Sequence, residues 1–179
     1  MAVPEAKLED TGHGVVPTTE GWFVLNAKEA RWRDGGAERG TYTFFEGENE
    51  LWPLGINVSV LEPGQPMAMY HHENEQEDFL VLSGEPLLIV EDEERRLRPW
   101  DLVHCPPGTE HVIVGAGDGP SVIVAVGTRT AGEDWGAYTV SQTAIRHGAG
   151  VEEETTDQHV AYARFPPLEW ARYREGLLP

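Results

Sequence analysis

Cysteine is all but missing from this chain: Cys105 is the only one in 179 residues. No intramolecular disulfide can form, and a reducing interior suits such a chain. Positive charge is also scarce. Thirteen Lys and Arg stand against 31 Asp and Glu, a formal charge of -18 that repels phosphate backbones and anionic lipid head groups. Nucleic acid and membrane surfaces are therefore excluded as expected partners. No segment approaches the ~18 uninterrupted apolar residues that a membrane span requires, and the start, MAVPEAKLED, lacks a basic stretch followed by an apolar run. The expected compartment is the cytoplasm. Helical periodicity is nearly absent before residue 140, which argues against a helical bundle.

What the chain has instead is short apolar runs punctuated by 20 glycines and 13 prolines. Candidate strands are WFVLN at 22–26, TYTFF at 41–45, LGINVSVLE at 54–62, MAMYHH at 67–72, DFLVLSG at 78–84, LLIVED at 87–92, DLVHC at 101–105, HVIVG at 111–115 and SVIVAVGT at 121–128. So many short strands predict an all-β sandwich or barrel. A polar arm (1–20) precedes this β domain (21–130), and a C-terminal extension (131–179) follows it. EPGQP at 62–66 predicts a β-turn, and LSGEP at 82–86 and GAGDG at 115–119 predict hairpin turns. EDEERR at 91–96 lacks the glycine and spaced acids of a calcium loop and reads as a solvated hairpin tip. In the extension, Ser141 can cap a short helix that ends before Gly148, and PLEWARYRE at 167–175 suggests a second one.

Chemistry concentrates in MYHHENEQEDFLVLSG, residues 69–84, where two adjacent histidines and several acids lead into an apolar strand. Imidazole and carboxylate together suit borderline divalent metals, provided that they converge from a rigid support. Strand alternation sends Tyr70 and His72 to one face and His71 to the other. Glu77 opens the next strand, and His111 follows the stiff PPGTE turn, so both can return to the same point. A local bulge would exchange His71 for His72, and both stand as candidates. His104 and Cys105 lie on one strand facing opposite ways; His104 is a candidate general base, whereas the lone Cys105 reads as a small apolar filler.

These residues resemble the cupin family. Its first motif runs glycine, five residues, His-X-His, three or four residues, glutamate, six residues, glycine; here Gly64, Tyr70-His71-His72, Glu77 and Gly84 stand at those intervals, with Tyr70 in place of the first histidine. Its second motif is met by Pro106, Gly108 and His111, with Trp100 in place of its leading glycine and Gly115 in place of its closing asparagine. The resemblance implies a double-stranded β-helix, or jelly-roll barrel, with an N-terminal arm and short C-terminal helices. It further implies a divalent metal (Fe, Mn, Ni or Zn) held by His72, Glu77 and His111, with Tyr70 at the fourth position as a weak ligand or a hydrogen-bond donor to substrate. No other cofactor is expected. Similar cupins include dioxygenases, isomerases and hydrolases, so the implied function is a small metal-dependent enzyme acting on a small molecule. The alternative is a non-catalytic binding or sensing barrel. Cupins commonly pair, which makes a homodimer the expected assembly.

Overall fold

The computed structural model describes residues 2–47, 52–129 and 134–178. In chain order its strands are β1 (Leu8–Asp10), β2 (Val15–Pro17), β3 (Arg31–Asp34), β4 (Thr41–Phe44), β5 (Leu54–Leu61), β6 (His71–Glu73) and β7 (Glu77–Ser83). They continue as β8 (Leu87–Val90), β9 (Glu93–Arg96), β10 (Leu102–Cys105), β11 (His111–Val114), β12 (Ser121–Thr128), β13 (Gly136–Tyr138) and β14 (Glu169–Ala171), with helices α1 (Gln142–Arg146) and α2 (Gln158–Ala161) between β13 and β14. A seven-stranded sheet in the order β10-β7-β12-β5-β4-β3-β14 faces a five-stranded sheet in the order β13-β6-β11-β8-β9, and every strand pair within them is antiparallel. The fold is the double-stranded β-helix, a jelly-roll barrel.

Why this chain closes a barrel can be read from what each strand buries. HVIV in β11 is buried at all four positions because the five-stranded sheet is covered on both faces. On the inner face Leu88 and Ile113 meet Leu61, Phe79, Ile123 and Ala125 of the other sheet. On the outer face Leu87, Ile89, Val112 and Val114 pack under Ala144 and Ala149. Each such aliphatic side chain contributes about 1.5–3 kcal/mol by leaving water. The cover is α1, capped by Ser141, whose Oγ accepts from the Ala144 amide at 2.9 Å, as the sequence predicts. By contrast, EERR in β9 is exposed at all four positions, and its charges guard the free edge of the sheet.

Four sequence expectations are corrected here. Residues 22–26 make one isolated bridge, Glu5↔Trp22, and no strand; of 67–72 only the end enters β6. The turns at 82–86 and 115–119 are not hairpins: β7 and β8, and likewise β11 and β12, lie in different sheets, so both segments cross the barrel. Finally, 167–175 forms β14 and not a helix. Trp170 there packs against the guanidinium groups of Arg31 and Arg33 at 3.8 and 3.5 Å, and this docking holds the segment extended beside β3. The expected boundary at 130/131 lies outside the described residues.

Candidate metal centre

The site is built from one row of side chains on each sheet. Across the five-stranded sheet, Tyr138, His71 and His111 stand opposite one another on β13, β6 and β11, so all three project from the same face. From the facing sheet Glu77, the first residue of β7, reaches toward them. The ends are tied together by the PPGTE turn. Gly108 there adopts φ 83, open to glycine at little cost, and its amide donates to the Glu73 carbonyl at 2.7 Å. Gly136 supports the same strand, because a Cβ on it would stand 2.0 Å from the His72 carbonyl oxygen.

The donor atoms of His71, Glu77 and His111 all lie within 4.8 Å of one another. His71 Nε2 is 3.5 Å and His111 Nε2 3.2 Å from Glu77 Oε2. In each ring Nδ1 faces a backbone carbonyl, Met69 at 2.7 Å and Thr109 at 2.9 Å. A carbonyl only accepts, so each Nδ1 must carry a proton and donate it, which leaves Nε2 as the atom facing Glu77 and, once it gives up its proton, as the one that can hold a metal. His111 Nε2 and Glu77 Oε2 are buried and, despite their closeness, align in no hydrogen bond. Buried polar atoms without partners are costly, about 1–3 kcal/mol each, unless something bridges them. Two imidazole nitrogens and a carboxylate aimed at one point fit a divalent first-row metal.

Charge in the cluster follows the same geometry. Burial alone pushes the Glu77 carboxyl up, but the imidazoles of His111 and His71 outweigh it and hold Glu77 at about 2. Burial pulls His111 down, and Cys105 and Glu77 together overcome it and lift His111 to about 10. Glu73 behaves oppositely: burial, then repulsion from Glu77, raises its carboxyl above the usual range. It lies 3.8 Å from His71 Nε2, on the same face of β6.

Several sequence candidates are placed elsewhere. His72 pairs with Ala137 on the outward side of β6, so ordinary alternation puts His71, not His72, beside Glu77. Tyr70 is fully buried under α1, on the outer face of the sheet. Its hydroxyl donates to Glu110 at 3.3 Å and accepts from the Asp92 amide at 3.0 Å, and burial pushes it up to about 12. His104 points outward too, 2.7 Å from Asp78 and half-exposed. Neither Tyr70 nor His104 belongs to the cluster. In the cluster His71-His72-Glu73 takes the His-X-His position, with six residues after Gly64 in place of five and three before Glu77 in place of four. Glu73 then stands where the second histidine is expected, one residue farther from Gly64 than the motif places it.

Around the cluster opens a cavity of about 570 Å³, lined among others by Arg39, Tyr42, Phe79, Trp135, Tyr138 and Tyr162. Its aromatic wall starts at the histidines: Tyr138 is 6.0 Å from His71 and 4.9 Å from Trp135, ring to ring. Such a pocket has the size of a small-molecule site. None of these wall residues carries a motif signal; their segments meet only in the folded chain.

Comparison with known proteins agrees with this architecture. Residues 57–127 match the family model of the Cupin domain. A sugar phosphate isomerase of the cupin superfamily from Silicibacter pomeroyi is 28% identical with a TM-score of 0.52, over 60% of this chain and 76% of that one. A candidate sugar phosphate isomerase from Acidithiobacillus ferrooxidans is 32% identical with a TM-score of 0.43, over 45% of this chain and 53% of that one, so the chain spans about half of that protein's length. A polyketide cyclase from Streptomyces resistomycificus, 12% identical with a TM-score of 0.50 over 63% of this chain and 89% of that one, shares the fold. No curated protein matches the sequence. Both motifs lie inside the matched region, so residues 57–127, with the barrel and its histidine-glutamate cluster, form a cupin domain.

Proposed function

We propose that this protein is a metal-dependent enzyme that isomerises a small polar molecule, with His71, Glu77 and His111 holding a divalent ion. The observation that carries the reading is the convergence of three donor atoms within 4.8 Å, two of them buried without a hydrogen-bond partner. When bound, the ion would act as a Lewis acid toward a carbonyl or hydroxyl oxygen. The chain's own residues do the rest. Met69 and Thr109 orient the two imidazoles through Nδ1, and Phe79, Trp135 and Tyr138 give the substrate an apolar wall.

Glu73 is the residue best suited to move a proton. Its carboxyl is raised by burial and by Glu77, which brings it nearer the range where it can both take and return one. Isomerisation of a hydroxy carbonyl needs such a group, and the likeness to the Silicibacter pomeroyi isomerase supports that reaction class. Cys105 is buried and free, which suits a cytoplasmic setting, and a homodimer remains the assembly we propose. Elemental analysis of protein purified without chelator tests the reading: about one divalent ion per chain is expected, with none in His111→Ala. A His111→Ala chain that keeps a full complement of metal would sink it.

A further inference from the structure

We propose that Arg39 is the anion-recognition residue of this pocket, binding a carboxylate or phosphate group of the substrate whose other end meets the metal; this rests on the metal-enzyme reading above. Arg39 lines the same cavity as the cluster, and its guanidinium lies 3.9 Å over the ring of Tyr162. Tyr162 is held in turn, since its hydroxyl accepts from the Met69 amide at 3.1 Å and its ring meets Tyr138 edge-on at 5.6 Å. Arg39 is therefore stacked at the far end of the aromatic wall that begins at His71 and is held in place there.

The contrast with the other pocket arginine decides the assignment. Arg129 is bonded to the buried Glu46. Arg39 has no carboxylate partner among the described residues, and its Nε is buried without a hydrogen-bond acceptor. A planar guanidinium with open donors matches the oxygens of a carboxylate or phosphate. Charge counting agrees. With a divalent ion in place the charges of Glu73 and Glu77 are balanced, Arg129 and Glu46 cancel, and Arg39 is left as one uncompensated positive charge among the described lining residues. In a chain of formal charge -18, the metal-loaded pocket would be a local inversion of sign. An anion of small size is the chemistry that completes it.

The test is a titration of the full-length, zinc-treated protein with inorganic phosphate and, separately, acetate, following the Arg39 Nε–H and Trp135 indole resonances by NMR. A saturable shift with at least one anion is expected, and the tighter of the two distinguishes a phosphate ester from a carboxylate substrate. Arg39→Gln should weaken that binding at least tenfold, read on Trp135, with zinc content unchanged; Arg39→Lys, which keeps the charge but not the fork, should fall between. No saturable shift with either anion, or equal affinity in Arg39→Gln, overturns the proposal. Glu77→Gln separates the two readings: it should lose zinc while the Arg39 resonance still responds. If the wild type takes up no zinc yet Arg39 still titrates, the metal reading fails and the anion site stands.

Discussion

Strand β7 carries two histidine-carboxylate pairs side by side, and they differ in almost everything but composition. Glu77 faces the barrel and meets His111; Asp78, the next residue, faces out and meets His104. The outer pair is the better hydrogen bond, 2.7 Å and aligned, with His104 half in water. The inner pair stands 3.2 Å apart, buried and unaligned. Good pairing on the surface is an end in itself and is screened by solvent. Poor pairing in the interior leaves buried polar atoms aimed at a third partner, which is what the proposed metal would supply.

The largest break in this comparison should come from the inner pair. Glu77→Gln or His111→Ala is expected to reduce bound metal from about one per chain to none, and to abolish the rise in melting temperature that added metal gives the wild type; metal-dependent stabilisation reaches about 2.7 kcal/mol at a hundredfold excess over Kd. Next in size is Glu73→Gln. It should retain metal at reduced affinity while lowering kcat by about 10²-fold or more if Glu73 moves the proton, as steady-state assays of an isomerase substrate would show.

A smaller, purely structural loss is expected from Tyr70→Phe. Its hydroxyl bridges Glu110 and the Asp92 amide beneath α1, so about 1–2 kcal/mol of stability should disappear in a urea titration with metal content intact. Altered metal content would return Tyr70 to the site. Smallest of all is the outer pair: His104→Ala should leave metal unchanged and cost ~0–1 kcal/mol. The same variant sharpens the comparison through pH. Asp78 is held below its ordinary 3.8 by His104 first and Gln76 second. A depressed carboxyl contributes stability above pH 3.8 that is lost as pH falls through its folded value. In His104→Ala the Asp78 midpoint, followed by NMR, should move up toward 3.8.

The two pairs also show how far one-dimensional reading reaches. Glu77 and His111 could be found because motif spacing tracks the number of residues in a turn or strand, and those distances survive folding. Register could not. Tyr70, His71 and His72 are equally polar neighbours, and a shift of one residue exchanges the faces of all three. What places His71 inward is its alignment between Tyr138 and His111 across the sheet, a pairing between segments about 40 and 67 positions away along the chain. The helix expected at 167–175 gives way for a related reason: local propensity is overridden by a docking partner, with Trp170 set between two arginines.

From sequence alone came the β architecture, the capped helix at Ser141 and two of the three metal-ligand candidates in the observed cluster without ambiguity. These depend on composition, periodicity and fixed spacing. Tertiary structure alone chose His71 over His72, sent Tyr70 and His104 away from the cavity, set Glu73 beside the cluster and left Arg39 without a carboxylate partner among the described residues. Each of those outcomes turns on which side chains from distant segments share a face, and a chain closes that question only when its two sheets do.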